Sequence, residues 1–230
     1  MSLRALLTAS ALFLSSAHAH FSLTTPVSLE GDEMDEKLQT SAPCGGGTTD
    51  ITKATFFTDF HVDGSPLGWL LGHPQANFLI RATTDEDASK ANWTQLFPVV
   101  QQSGFGKFCE PVVTAPEEWV GKKGFVGVVA NAPDGMLYQC AAVNFVSGAA
   151  ASIDSEVCTN GTSVSGSFTG DSQLTALVGD GSVSPSPSET ASSPAPNQSD
   201  SAATSVMGGR LPVGTLAVSV LMVLVGAALA

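Results

Sequence analysis

Four histidines, His18, His20, His61 and His73, are the chain's whole supply of imidazole. Two of them stand one residue apart at the end of an apolar leader, in Ala17-His18-Ala19-His20. Residues 1–19 have the layout of a secretory signal peptide. Arg4 supplies the charged start, Ala5 to Leu14 the short apolar core, and Ala17-His18-Ala19 a small-x-small cleavage site. The apolar run is too short to span a bilayer. Cleavage after Ala19 discards His18 and makes His20 the first residue. A histidine in that position has two chelating nitrogen donors, its free α-amine and its ring. One further imidazole completes a planar three-nitrogen set, a histidine brace, which suits Cu(II), and imidazole also tolerates Cu(I). The amine, with an ordinary pKa of about 7.7–8.0, gives up its proton readily near neutrality.

The second imidazole comes from His73 or His61. His73 precedes Pro74, and a residue before proline is driven out of the helical region into an extended one, which narrows where its ring can point. His61 lies in "DFHVDGSP", at the end of a strand-like run beside a turn, where a solvated histidine is commonplace. The backbone argument leans towards His73 and leaves His61 as the alternative.

Other chemistry is not marked. The carboxylates of "EGDEMDE" and "TDEDASK" read as solvated loops, and no pair has the fixed spacing and apolar isolation that glycoside hydrolysis needs. There is no G-x-S-x-G elbow and no phosphate loop. A net charge of −12, from 9 basic and 21 acidic residues, speaks against nucleic acid as a partner.

The elements that must position the histidines read as strands. "ATFFTDFHV", "LGWLLGHPQANFLIRAT", "LFPVVQQ", "KFCEPVV", "KKGFVGVVA" and "MLYQCAAVNFV" are rich in β-branched and aromatic residues and are separated by turn chemistry such as "VDGSP" and "NAPDG". This spacing predicts an all-β sandwich of two packed antiparallel sheets. "TDEDASKANWTQLF" is expected to supply one short helix or helical turn. Cys44, Cys109, Cys140 and Cys158 are far apart and lack C-x-x-C spacing, so two disulfides are expected, with all three pairings open. Sequons at Asn92, Asn160 and Asn197 fit N-glycosylation in a secretory pathway.

The folded domain is expected over 20–170. Residues 171–210 are rich in Ser, Thr and Pro and read as a disordered stalk. Residues 211–230 form an apolar run with no basic residue after it. Small residues around Ser199 to Ala203, a spacer and this apolar tail make the layout of a glycosylphosphatidylinositol (GPI) attachment signal, with Asn197, Ser199 or Ser201 as the attachment residue. The expected location is therefore the outer face of the plasma membrane and the cell wall.

In chain order, "HFSLTTP", "APCGGG", "LGWLLGHPQANFLIRA", "GFGKFCEP" and "DGMLYQCAAVNF" resemble the fungal GPI-anchored copper-binding proteins related to lytic polysaccharide monooxygenases, the copper-acquisition-factor type. The resemblance covers about His20 to Gly148. It implies an immunoglobulin-like β-sandwich holding one copper ion, with His20 as terminal ligand and His73 as the second. It also implies capture or trafficking of copper without catalytic turnover, with a copper transporter or a wall glycan as further partner; the alternatives are an LPMO-like polysaccharide oxidase and a cell-wall or adhesion protein with a degenerate metal site. An aspartate completes such sites, and the resemblance puts it after Cys140-Ala141, where this chain has Ala142. Asp134, in "APDG", is the nearest substitute in sequence and reads as a turn residue.

Overall fold

The computed structural model describes residues 20–31, 35–151 and 157–179, all within one unit of the chain, Met1–Pro187. The signal peptide, most of the stalk, the attachment region with Asn197, and the terminal apolar run lie outside the described residues. Among the described residues no helix is long and apolar enough to cross a membrane.

Nine strands and one short helix follow in order: β1 Phe21–Thr25, β2 Thr58–His61, β3 Ser65–Leu71, β4 Gln75–Thr83, β5 Thr94–Ser103, β6 Gly106–Val113, β7 Lys123–Ala132, β8 Gly135–Val146, β9 Ser165–Phe168 and α1 Ser172–Thr175. They form a three-stranded sheet, β1-β3-β6, and a six-stranded sheet, β2-β8-β7-β4-β5-β9. The expected sandwich is present with one correction: β2 pairs with β8 in parallel, while the other pairs are antiparallel.

Alternation along the strands builds the core. Leu67, Trp69 and Leu71 of β3 point inward while Leu70 stays exposed, as a period of two requires. Trp69 stacks on Phe78 of the larger sheet and on Phe108 of its own, with ring centroids 4.2 and 4.9 Å apart. The strand β8 is buried on both faces, which is why "MLYQCAAVNFV" is apolar almost throughout. Its Leu137, Ala141, Val143 and Phe145 join the inter-sheet core. Its Cys140 and Ala142 face the other way, into an outer cluster with Cys44, Ile51, Trp93 and Phe125.

That outer cluster exists because chain segments before and after the strands are fastened over the sheet. The disulfides pair Cys44 with Cys140 and Cys109 with Cys158, settling the connectivity that the sequence left open. The Arg81 guanidinium stacks over Trp93 at 4.2 Å and donates to the Leu177 and Pro43 carbonyls at 2.9 and 3.4 Å. Burial lowers its pKa from 12.5 to about 10, so it stays charged at neutral pH while tying both flanking segments down.

Two sequence expectations change. No helix forms over "TDEDASKANWTQLF": the Asp87 carboxylate accepts from the Ser89 amide and hydroxyl, and the Asp85 carboxylate from the Asn92 amide, and β5 starts at Thr94. Such local bonds give the backbone an alternative to the helix. The ordered fold also continues past residue 170. Asp171 caps α1 by accepting from the Gln173 and Leu174 amides, Leu174 is fully buried, and the Gly179 amide donates to Trp93. One well-buried leucine and a cap make α1 part of the domain.

Candidate metal centre

The site forms where β1, the link between β3 and β4, and the β7–β8 turn come together. β1 runs antiparallel to β3 with Phe21 opposite Leu71, so His20, one step further out, lies opposite Gly72. The Gly72 amide donates to the His20 carbonyl at 2.9 Å. The next residue is His73. Gly72-His73-Pro74 carries the chain from the smaller sheet to the larger, and the Gly104 amide fixes it by donating to the Pro74 carbonyl at 2.8 Å. His20 and His73, far apart in sequence, thus become neighbours through strand register.

The third participant arrives by the same logic. β4 pairs with β7 with Asn77 opposite Asn131, and continuing outward brings Asp134, in the tight turn before Gly135, level with the His73-Pro74 link. Gly135 adopts φ 126°, a backbone conformation in which glycine is at ease. His73 is 5% exposed, and its Nε2 lies 3.0 Å from Asp134 Oδ1. On the other side, His20 Nδ1 lies 3.2 Å from Glu36 Oε1, with both side chains partly open to solvent. A cleft of about 370 Å³ beside them is lined by residues that include His20, Glu36, Gln39 and Gln139.

His20 Nδ1 and His73 Nε2 are both cut off from solvent, and neither forms an aligned hydrogen bond. Their carboxylate neighbours are close in distance only. Nitrogen and oxygen donors sit about 2.0–2.2 Å from an ion such as zinc, so two at right angles on one ion are about 3 Å apart. The 3.0 and 3.2 Å separations match that span and also lie in hydrogen-bond range, so it is the misalignment, not the distance, that leaves both nitrogens available to an ion. The choice of atoms is also informative. Nδ1 is the ring nitrogen that closes a six-membered chelate with the α-amine of the same residue, and Nε2 faces away from it. Among the described residues no three His, Cys, Asp or Glu side chains gather in one group. The four side chains stand as two pairs, His20 with Glu36 and His73 with Asp134.

The remaining sequence candidates lie elsewhere. His61 pairs with Val146 at the far end of β8, its Nδ1 3.3 Å from the Ser147 carbonyl. β8 begins beside Asp134, so the length of this strand, roughly 35 Å at 3.3 Å per residue, separates His61 from the site. Ala142 is opposite Phe125, fully buried in the outer cluster, and roughly 23 Å along β8 from Gly135. Ala142, where the resemblance placed an aspartate, therefore lies far along β8 from His73, and the carboxylate that meets His73 is Asp134. Tyr138 is buried with Leu79, Val129 and Leu174. Asn92 and Asn160 are exposed, and Asn160 Oδ1 accepts from the Cys109 amide at 2.7 Å. Sequence reasoning missed Glu36 and underweighted Asp134. For Asp134 the signal was its place at the tip of a two-residue turn between two long strands.

Residues 18–163 match a family model described as copper acquisition factor BIM1-like. A curated relative, lytic polysaccharide monooxygenase-like protein X325 of Yarrowia lipolytica (strain CLIB 122 / E 150), is 29% identical over 165 residues. The alignment covers 67% of this chain and 59% of that relative, so the chain spans under two thirds of the relative's length. Among solved structures, a CBM33 polysaccharide monooxygenase studied by X-ray photoreduction is 14% identical with a TM-score of 0.42, covering 55% of this chain and 99% of its own. The catalytic domain of LPMO Lmo2467 from Listeria monocytogenes is 15% identical with a TM-score of 0.41 at the same coverage, 55% and 99%.

Proposed function

The chain belongs to the BIM1-like copper acquisition factor family, and from that premise we propose that it captures copper at the cell surface and passes it on, holding the ion through a brace of His20 and His73 without catalytic turnover. The observation that carries this reading is the pair of solvent-excluded, unaligned nitrogens, His20 Nδ1 and His73 Nε2, on neighbouring positions.

Copper is the cargo, and each residue has a part in holding it. Processing after Ala19 frees the α-amine of His20, which joins His20 Nδ1 and His73 Nε2 as the third nitrogen. With two imidazoles at the site, the domain takes one ion. Asp134 faces His73 Nε2 at 3.0 Å and offers a hard anionic donor, which favours Cu(II) over Cu(I). Burial of His73 fixes one side of the site, while the partly exposed His20 and Glu36 leave the other open for transfer. Export by the leader and attachment through a lipid anchor would place the domain on the outer leaflet, where a copper transporter is the fitting recipient.

The test is copper titration of the domain beginning at His20 beside a form that retains Ala19, in which the His20 nitrogen is acylated. Tight binding by the first and loss by the second is expected; equal binding by both overturns the brace. Incubation of the copper-loaded domain with reductant and wall polysaccharide is expected to release no oxidised oligosaccharides, and their release overturns the non-catalytic part.

A further inference from the structure

β1 is an edge strand of the three-stranded sheet, hydrogen-bonded on one side to β3. Its other side, which would otherwise present bare backbone groups, is covered by two glutamine side chains. Gln39 Oε1 accepts from the Phe21 amide at 3.3 Å, and its Nε2 donates to the Phe21 carbonyl at 2.6 Å. Gln139 Oε1 accepts from the Leu23 amide at 2.7 Å, and its Nε2 donates to the same Phe21 carbonyl, also at 2.7 Å. The two residues are 1% and 2% exposed. Each primary amide offers one acceptor and donors, as a peptide group does, so together they stand in for a missing strand.

Gln39 follows the short 3-10 turn Glu36–Leu38, and the Tyr138 amide donates to its carbonyl at 2.8 Å. Gln139 sits in the middle of β8, in the opposite sheet, between the core residues Leu137 and Ala141. A polar side chain at an otherwise apolar core position is costly unless it is bonded. Both are bonded to the backbone of β1 just after His20, Gln39 at Phe21 and Gln139 at Phe21 and Leu23.

The consequence falls on His20. The peptide between His20 and Phe21 is held at both polar groups, its carbonyl by the Gly72 amide at 2.9 Å and its N–H by Gln39 at 3.3 Å. The amine and imidazole of His20 both hang from the α-carbon next to that peptide. Chain termini normally fray unless tied down. Resting on the brace reading above, we infer that Gln39 and Gln139 are positioning residues for the metal site: a clasp that presets His20 for chelation and thereby sets copper affinity.

The experiment uses the domain beginning at His20 and the variants Gln39→Met, Gln139→Met and Gln139→Glu, with Cu(II) as probe. Three quantities are read: Cu(II) Kd by competition, the Cu(II) paramagnetic resonance spectrum, and Tm. Either methionine variant is expected to weaken Cu(II) binding by roughly tenfold or more and to alter the spectrum, as loss of groups that orient ligands does. Gln139→Glu keeps the acceptor for Leu23 and loses the donor to Phe21, and an intermediate loss is expected. Gln39 belongs to neither sheet, so Gln39→Met leaves every strand residue unaltered. A folded methionine variant with lowered Tm, unchanged Kd and unchanged spectrum overturns the clasp and leaves the brace standing. An unaltered domain that binds no copper overturns the brace, and the clasp with it.

Discussion

His73 Nε2 lies 3.0 Å from Asp134 Oδ1, although one residue sits in the link between two sheets and the other at the tip of a turn on the larger sheet. Pairing of Asn77 with Asn131 brings them level. A buried imidazole nitrogen and a half-exposed carboxylate oxygen meet without an aligned hydrogen bond, and that gives Asp134 a definite role to test.

Asp134→Asn keeps the shape of the turn and removes the charge. Cu(II) affinity is expected to fall by roughly tenfold to a hundredfold. Cu(I) affinity should fall less, because the carboxylate is the harder donor. Competition titrations in the two oxidation states check this, and an equal loss in both counts against a ligand role for Asp134.

His73→Ala and His61→Ala separate the two internal histidines. Loss of His73 is expected to abolish tight copper binding. Loss of His61, paired with Val146 at the far end of β8, should leave Kd unchanged. Calorimetry on both variants decides between them; the reverse pattern would mean that the site has been assigned to the wrong end of the sandwich.

Ala142→Asp restores the residue that the family resemblance led one to expect at that position. The structure gives the opposite outcome to a gain in binding. Position 142 is fully buried among Cys44, Trp93 and Phe125, and the one guanidinium against that cluster, Arg81 on Trp93, is already bonded to the Leu177 and Pro43 carbonyls. An unpaired carboxylate there should destabilise the fold by several kcal/mol. A large fall in Tm without tighter copper binding is expected from thermal unfolding and titration together.

Acid should loosen α1 before the sandwich. Burial raises the Asp171 pKa, but bonds from Asn77, Asn131, Leu174 and Gln173 together outweigh it, so the group lies below its ordinary 3.8. A carboxylate depressed in the folded state contributes stability that is complete above the unfolded pKa and lost as pH falls through the folded one. The protection factor of the Leu174 amide, its exchange rate relative to an unstructured amide at the same pH, is therefore expected to be steady above about pH 5 and to fall below 3.8. Asp171→Asn should show the lower protection at neutral pH and little further change on acidification.

Much of the architecture was legible in the residues. Strand positions follow from period-two alternation and turn chemistry, and four cysteines without C-x-x-C spacing announced two disulfides. Less legible were α1, whose burial depends on one leucine, and the loop before β5, where aspartates captured the amides that a helix would use. The parallel pairing of β2 with β8 had no local signal at all.

The sequence by itself determined which groups are available for copper: one histidine placed to become terminal, two internal imidazoles, and a carboxylate in a turn. These are matters of residue type and local spacing, and they act within a few residues. Only the tertiary structure decided which of them meet. Register between β1 and β3 put His20 beside the Gly72-His73 link, and register between β4 and β7 put Asp134 against His73. The two-residue alternation along β8 turned Ala142 to the outer cluster and Gln139 to the edge of β1. Register is set by the summed pairing and packing of whole strands, and a one-residue slip would send every side chain to the opposite face.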